Sequence, residues 1–489
     1  MAVHIETNKL MRNRAYINGN WTAAESGRTF KVINPATGEL LAEVPRMGAA
    51  ETDRAIAAAA AAFPAWRARP AKERAGIMRR WYDLIVAHTD DLALLMTLEQ
   101  GKPLAEARGE VALGASYVEW FAEEAKRVYG DVIPSPADRR FVVIKQPIGV
   151  CVGITPWNFP HAMITRKSAP AIAAGCTFVL KPAEQTPLSA LAVAALAEEA
   201  GIPAGVFNIV TGDAQDAPAI GNAMTSSPIV RKLGFTGSTA VGKLLMSACA
   251  GTVKKLSLEL GGNAPFIVFD DADIEAAVAG AMSAKFRNAG QVCVSPNRLL
   301  VQEGIHDAFV AGLRAAVEKL RVGNGLEEGV HMGPLIEDQA VAKVVEHVDD
   351  ARKLGAKVVA GGSPSDLGYT FYQPTILTGV TTDMKMSHEE TFGPVAAIAT
   401  FKTEADAIAR ANATPFGLAA YFYSRDIGRV WRVAESLETG MVAINTPLIA
   451  TEAIPFGGVK ESGIGREGSK YGIDEWTEIK FMCFGGINL

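Results

Sequence analysis

Gly149-Val150-Cys151-Val152-Gly153-Ile154 opens the stretch that decides the fold. It is a short apolar run, the pattern of a strand buried on both faces. A helical pattern follows at 163–174, then a second apolar run at 177–180, a helix at 188–200 and a strand at 206–210. A further strand at 233–236 leads into a helix from Ala240. Short apolar runs alternating with helices predict right-handed βαβ units and a parallel sheet covered on both faces.

Downstream the alternation starts again at Ala264-Pro265-Phe266-Ile267-Val268-Phe269. It continues through a helix at 274–286, a strand at 298–302 and a helix at 306–320. The boundary between the two α/β units is expected at Gly261-Gly262. Upstream, 50–127 reads as helix, and Asn18-Gly19 carries a hairpin signal. Residues 130–149, with Pro134, Pro136 and the run Phe141-Val142-Val143-Ile144, read as an extended excursion.

Size and composition agree with this. A chain of 489 residues exceeds what one core organises, so two or three domains are expected. Net charge is −5 and the basic residues are dispersed, which argues against nucleic acid as a partner. The longest apolar stretch, 55–63, is mostly alanine and too short to cross a bilayer. Residues 1–14 show no apolar leader, which points to a cytoplasmic protein. The five cysteines lack paired spacing and the seven histidines lack ligand spacing. Neither a disulfide framework nor a metal site is expected.

Two short motifs carry the chemistry. Cys293 ends Asn288-Ala289-Gly290-Gln291-Val292-Cys293, and Glu259 sits in Leu258-Glu259-Leu260-Gly261-Gly262. A lone cysteine is usually a small core residue, and a glycine-rich run with one glutamate is usually a turn. Together they offer a thiolate that can add to an aldehyde and a carboxylate that can activate water against the resulting thioester. A free thiol is only a few per cent ionised at neutral pH; lowering its pKa by two units is worth about 2.7 kcal/mol.

Two further segments suggest a nucleotide. Phe235-Thr236-Gly237-Ser238-Thr239-Ala240-Val241-Gly242 follows a predicted strand and opens a helix, with Ser238 or Thr239 as N-cap. Gly237, Ser238 and Gly242 at a helix N-terminus would suit phosphate. The spacing G-x-x-x-x-G differs from the usual dinucleotide fingerprint, and an empty strand-turn-helix junction looks the same. Val241, Leu244, Leu245 and Ala248 are read as that helix's apolar face. Lys181 and Glu184, at the carboxyl end of another predicted strand, could hold the two hydroxyls of a ribose; in isolation they are more often a solvated pair.

In order along the chain, Thr155-Pro156-Trp157-Asn158-Phe159-Pro160, Lys181-Pro182-Ala183-Glu184, Phe235-Thr236-Gly237-Ser238, Leu258-Glu259-Leu260-Gly261-Gly262, Gly290-Gln291-Val292-Cys293, Glu389-Glu390-Thr391-Phe392-Gly393-Pro394 and Pro455-Phe456-Gly457-Gly458 resemble the NAD(P)-dependent aldehyde dehydrogenase superfamily. Within it, Met163-Ile164-Thr165-Arg166-Lys167, Lys285-Phe286-Arg287-Asn288-Ala289-Gly290, Gly465-Arg466-Glu467-Gly468-Ser469-Lys470-Tyr471-Gly472 and the tail near Met482-Cys483 are similar to succinate-semialdehyde dehydrogenases.

The resemblance implies an α/β protein of two doubly wound parallel-sheet domains plus a small β bridging segment. A cofactor domain would span 1–129 and 149–261, a catalytic domain 262–470, and an oligomerisation segment 130–148 with 471–489. Subunits would form dimers or tetramers. The implied cofactor is NAD, with NADP possible, held by Thr155, Pro156, Trp157, Lys181, Glu184, Gly237, Ser238, Gly242, Leu260, Glu390 and Phe392.

Cys293 would be the nucleophile and Glu259 the general base. Asn158 would donate to the oxyanion, a contact worth about 3–4 kcal/mol. Lys167 and Glu467 would relay the proton. Arg166 and Arg287 would bind a substrate carboxylate remote from the aldehyde, since guanidinium matches carboxylate geometry.

Two positions depart from the succinate-semialdehyde pattern. Ser295 stands where many relatives carry a second cysteine, and Ala450 where they carry a serine, with Thr451 as the nearest substitute hydroxyl. Succinate semialdehyde is the first expectation, and glutarate or 2-oxoglutarate semialdehyde stay open. A coenzyme-A-acylating enzyme would not need Glu259, and a non-catalytic protein on the same fold would not need Cys293.

Overall fold

A computed structural model describes residues 10–486. Residues 1–9 of the stretch 1–14 and the last three positions of the segment 471–489 lie outside the described residues.

Among the described residues the first domain is built on an eight-stranded sheet. Its centre is five parallel strands in the spatial order Lys255–Glu259, Val230–Thr236, Val150–Ile154, Thr177–Lys181 and Phe207–Ile209. Alternation explains the double burial. Val150, Val152 and Val179 pack into one core, while Cys151, Phe178 and Leu180 pack into the other. The Ala15–Ile17/Asn20–Thr22 hairpin closes one edge. Its turn is Asn18-Gly19, both at positive φ (52° and 74°), as a two-residue hairpin turn requires.

The second domain holds a seven-stranded sheet, parallel except for the edge strand Lys357–Ala360. Its middle strands are Val395–Phe401, Pro296–Gln302, Ala264–Val268 and Ala419–Tyr423. Arg139–Pro147 pairs antiparallel with Asp131–Ile133 on one side and Thr477–Gly485 on the other, so the extended excursion is a separate three-stranded sheet.

Two expectations differ in detail. Gly463–Ile464, inside the range expected for the second domain, pairs antiparallel with Leu258–Glu259 and edges the first sheet. The helix Thr239–Ala250 buries Gly242, Leu245 and Cys249 and leaves Val241 and Leu244 exposed. It lies so close to Leu260 that small residues set its inner face: a Cβ on Gly242 would come 2.4 Å from a Leu260 methyl.

Candidate active site

Four strands of the first sheet end at one edge, and the predicted site residues come directly after them. Ile154 leads into Thr155-Pro156-Trp157-Asn158, Lys181 into Pro182, Thr236 into Gly237-Ser238, and Glu259 into Leu260. Loops at the carboxyl ends of parallel strands are where such sheets bind ligands. The second domain faces this edge with loops that enter its strands: Cys293 precedes Pro296–Gln302, and Glu390 and Phe392 precede Val395–Phe401. A cleft of about 610 Å³ lies between, lined on one side by Trp157, Asn158, Gly237 and Leu260 and on the other by Cys293, Glu390 and Phe392.

The loop carrying Cys293 is held in a demanding conformation. After the helix Ile274–Phe286, Asn288, Ala289 and Gly290 all adopt positive φ (49°, 53° and 74°). Only glycine fits the last of these, because a Cβ there would lie 2.1 Å from the Gly393 carbonyl oxygen. Gln291 anchors the loop on both sides: its Oε1 accepts the Ile336 N–H at 2.9 Å, and its backbone carbonyl accepts Asn158 Nδ2 at 2.9 Å. The second bond joins the two domains two residues before Cys293. At the domain junction Gly262 passes so close that a Cβ would sit 2.3 Å from the Cys293 carbonyl oxygen.

Burial pushes the Cys293 thiol up to about 12; Arg166 and Arg287 pull it down, while Glu390 and Glu259 add to the rise. Both arginines therefore favour the thiolate form of Cys293. Their settings differ. Arg166 is fully buried, its Nε 2.5 Å from Glu467 Oε2 and its guanidinium 4.2 Å from the centre of the Phe456 ring. Its Nη2 and the neighbouring Tyr117 hydroxyl are buried without a well-formed hydrogen bond. Arg287 is exposed and stacks over Phe159 at 5.6 Å.

Behind Glu259 lies a buried charge cluster. Lys167 bonds Glu467 and donates to Thr236 Oγ1 at 2.5 Å. Burial works against the Glu467 carboxylate, but Lys167 and Arg166 outweigh it and hold it below its ordinary range. Glu259 gains no such support. Neither oxygen has a hydrogen bond, and burial, with Glu467 adding to it, raises its pKa well above the usual carboxylate value.

The loop around Glu390 is clamped from both sides. Asn297 Nδ2 donates to the Glu389 carbonyl at 2.8 Å, and the Thr391 N–H donates to Asn297 Oδ1 at 3.1 Å. His347 contacts Thr391 Oγ1 at 3.1 Å and Glu389 Oε2 at 3.3 Å. The clamp sustains Phe392 at φ 54°, its ring edge-on to Trp157 at 5.6 Å. Glu390 Oε1 accepts the Gly262 N–H at 3.1 Å; burial lifts this carboxyl to about 7.

Four predicted positions stand apart. Glu184 lines a second cavity of about 630 Å³, which shares Ile336 and Glu337 with the first. Lys181 is buried beside it, 3.6 Å from its carboxylate. Gly242 does not line the cleft; its role is close packing on Leu260. Thr451 is exposed, and its hydroxyl accepts the Ala453 N–H at 3.1 Å in a local turn, so the structure does not join it to either arginine.

Comparison with known proteins agrees with this geometry. The aldehyde dehydrogenase family pattern matches residues 21–482. The chain belongs to the aldehyde dehydrogenase family. A glutarate-semialdehyde dehydrogenase of Pseudomonas aeruginosa is 64% identical over 480 residues, covering 98% of this chain and 99% of its own. An NADP(+) succinate-semialdehyde dehydrogenase of Escherichia coli is 61% identical over 482 residues, covering 98% of this chain and 99% of its own. The crystal structure of succinate-semialdehyde dehydrogenase from Burkholderia pseudomallei superposes with a TM-score of 0.96 at 62% identity, covering 97% of this chain and 98% of that one.

The cleft of this aldehyde dehydrogenase is also bordered by residues that its motifs do not reveal. Gln339 and Lys343, on the helix Asp338–Lys353, line the cleft. Tyr117 reaches Arg166 from the helix Leu104–Glu124. In sequence, Tyr117 is indistinguishable from a core aromatic and Lys343 from a surface lysine. The charge pattern of 338–353 gives no signal that one face looks into a cleft.

Proposed function

We propose that this enzyme oxidises an aldehyde carrying a remote carboxylate, succinate semialdehyde first, to the corresponding acid through a thioester on Cys293. The observation that carries the substrate reading is Arg166: a fully buried guanidinium with an unsatisfied Nη2, close enough to Cys293 to shift its pKa. Buried donors of this kind are costly unless a ligand completes them. Glutarate semialdehyde is the second reading, favoured by the similarity to the Pseudomonas aeruginosa enzyme and by Ala450, which offers no hydroxyl to measure chain length.

The cleft suits NAD(P). Ser238 caps the helix Thr239–Ala250, whose first-turn N–H groups could hold the pyrophosphate. Glu390 has Oε2 left for a ribose hydroxyl once Oε1 has taken the Gly262 N–H. Gly261 keeps that cradle open, since a Cβ there would lie 3.2 Å from Glu390 Oε2. Trp157 and Phe392 would flank the nicotinamide, and Pro156 and Leu260 would complete the wall. Thr155 is buried behind it, its N–H bonded to the Lys181 carbonyl at 3.1 Å, and does not reach the cleft. When bound, NAD(P) accepts the hydride. NAD is the preferred form in this reading, because Glu184 and Asp213 both line the second cavity, where an added phosphate would meet two carboxylates.

The chain's own residues supply the remainder. The Cys293 sulfur adds to the aldehyde carbon, and the new oxyanion is met by Asn158 Nδ2, which gives one hydrogen to Gln291 and has another to give. Once the thioester has formed, Glu259 takes a proton from water, and Lys167 and Glu467 offer a buried path for it. The presence of Glu259 disfavours acyl transfer to coenzyme A.

We further read 1–129 with 149–261 as the cofactor domain and 262–470 as the catalytic domain. The three-stranded sheet leaves Val132, Ile479 and Phe481 largely exposed, which supports subunit contacts through 130–148 and 471–489 in a dimer or tetramer. Among the described residues no helix is long and apolar enough to cross a membrane, and a cytoplasmic location is part of the proposal. A kcat/KM comparison of three- to six-carbon semialdehydes with their uncharged analogues, with NAD and NADP, tests the reading.

A further inference from the structure

Asn158 is held not only through its side chain but also through its backbone carbonyl, and one of the two donors, Lys102, comes from outside the catalytic motifs. The Asn158 carbonyl accepts Lys102 Nζ at 2.8 Å and Asn288 Nδ2 at 3.0 Å, so both of its lone pairs are used. Lys102 lies in the linker between the helices Thr89–Gln100 and Leu104–Glu124, and it is buried. Its ammonium is bonded to the buried carboxylate of Glu110 and sits 4.1 Å from the centre of the Phe159 ring.

Glu110 then reaches the segment just beyond Asn158. Its Oε1 accepts the His161 N–H at 2.9 Å and the Ala162 N–H at 3.2 Å, where the helix Ala162–Ala174 begins. The ends of the two helices that flank the linker also steady the loop before Cys293. Gln100 Nε2 donates to Asn288 Oδ1 at 2.9 Å, Gln100 Oε1 accepts the Lys102 N–H at 3.1 Å, and Glu106 Oε2 accepts the Asn288 N–H at 2.9 Å. Asn158 is thus fixed at its carbonyl, at its side chain and, three residues on, at the start of the next helix.

A buried ion pair adds little net stability, because desolvating two charges offsets their attraction. Apolar side chains could fill this space equally well, but they could not donate to the Asn158 carbonyl. We propose that Lys102, oriented by Glu110, is a positioning residue that sets the Asn158 amide at the oxyanion. The proposal rests on Asn158 serving the oxyanion in the proposed reaction.

The test is a double-mutant cycle on the full-length enzyme, reading the pre-steady-state burst of NADH with succinate semialdehyde and saturating NAD. Lys102→Met should lower the burst rate about ten- to a hundredfold, the cost of a misplaced catalytic contact. The NAD dissociation constant should be unchanged, because Lys102 contacts Asn158 and Phe159 and none of the residues proposed to hold the cofactor. Asn158→Ala should lower the burst further, and the Lys102→Met/Asn158→Ala double variant should be no slower than Asn158→Ala alone. Additive losses would overturn the proposal, since Lys102 would then act elsewhere. A normal burst in Asn158→Ala would instead overturn the oxyanion reading on which it rests. Should Lys102→Met fail to fold, Glu110→Gln, which keeps an acceptor for the His161 N–H, should show the same non-additivity with Asn158→Ala; additivity there would equally refute the proposal.

Discussion

Lys167 gives its ammonium to the carboxylate of Glu467, not to Glu259. Two cations and two carboxylates share the cluster, yet Lys167 and Arg166 both contact Glu467, and Glu259 is left without a hydrogen bond. Glu467 is therefore the settled carboxylate, and Glu259 is the one left to take a proton in the proposed scheme. A pair of titratable groups pushed apart by their surroundings marks the division of acid–base labour.

The first prediction comes from the direction of that push. Because burial raises the Glu259 pKa well above the ordinary carboxylate range, the ionised base becomes scarcer as pH falls and more abundant as pH rises. Thioester hydrolysis should therefore accelerate with pH into the neutral-to-alkaline range. Single-turnover acid release measured from pH 6 to 9 checks this. A rate that is flat above pH 6 would show a base with an ordinary pKa.

The Cys293 thiol supplies a second prediction. With its pKa pushed up to about 12 by burial, the thiolate fraction in the cofactor-free enzyme should rise about tenfold per pH unit between pH 7 and 9. Inactivation by iodoacetamide should track that slope. Arg166 lowers this pKa, so Arg166→Ala should slow alkylation at every pH in the range. Fast, pH-independent alkylation of the free enzyme would contradict the assignment.

Cofactor choice turns on Glu184. NAD should be preferred over NADP in kcat/KM, and Glu184→Ser should shift the ratio toward NADP by about tenfold, or about 1.4 kcal/mol. Lys181 lies 3.6 Å from the Glu184 carboxylate, and burial lowers its pKa despite the pull of Glu184. A wild-type preference for NADP, the cofactor named for the Escherichia coli relative, would overturn this inference.

Substrate choice turns on the arginines. Succinate semialdehyde should exceed butanal by orders of magnitude in kcat/KM. Arg166→Ala should erode that preference by about ten- to a hundredfold, the worth of a charged hydrogen bond. Arg287→Ala should have the smaller effect, because Arg287 is exposed and screened. Equal efficiency of the wild type on both aldehydes would refute the carboxylate reading.

The legible parts of this protein were local in sequence. The buried strand at 149–154, the helix Ile274–Phe286 and the Asn18-Gly19 turn all follow from periodicity and turn chemistry. The Cys293 and Glu259 motifs stand out in sequence because they combine a potentially reactive side chain with glycine; Cys293, Leu260 and Gly261 of these motifs line the cleft, and Glu259 is buried beside it. Long-range contacts were not legible. The pairing of Gly463–Ile464 with Leu258–Glu259 joins segments about two hundred residues apart and shows no periodic signal. The exposed face of Thr239–Ala250 misled for a related reason: Val241 and Leu244 have helical spacing, but the glycine between them packs inward. Lys102 and Glu110 form a buried pair that sequence presents as two ordinary charges near a helix start.

The most direct test of the thioester scheme is intact-protein mass spectrometry of Glu259→Gln, quenched after mixing with succinate semialdehyde and NAD. Cys293 should carry one succinyl group per subunit, accompanied by one equivalent of NADH. Turnover afterwards should be slowed about a hundred- to ten-thousandfold, the range spanned by loss of a general base. Cys293→Ala should show neither adduct nor NADH. Full turnover by Cys293→Ala, or an unmodified Cys293 in a Glu259→Gln enzyme that still forms NADH, would contradict it.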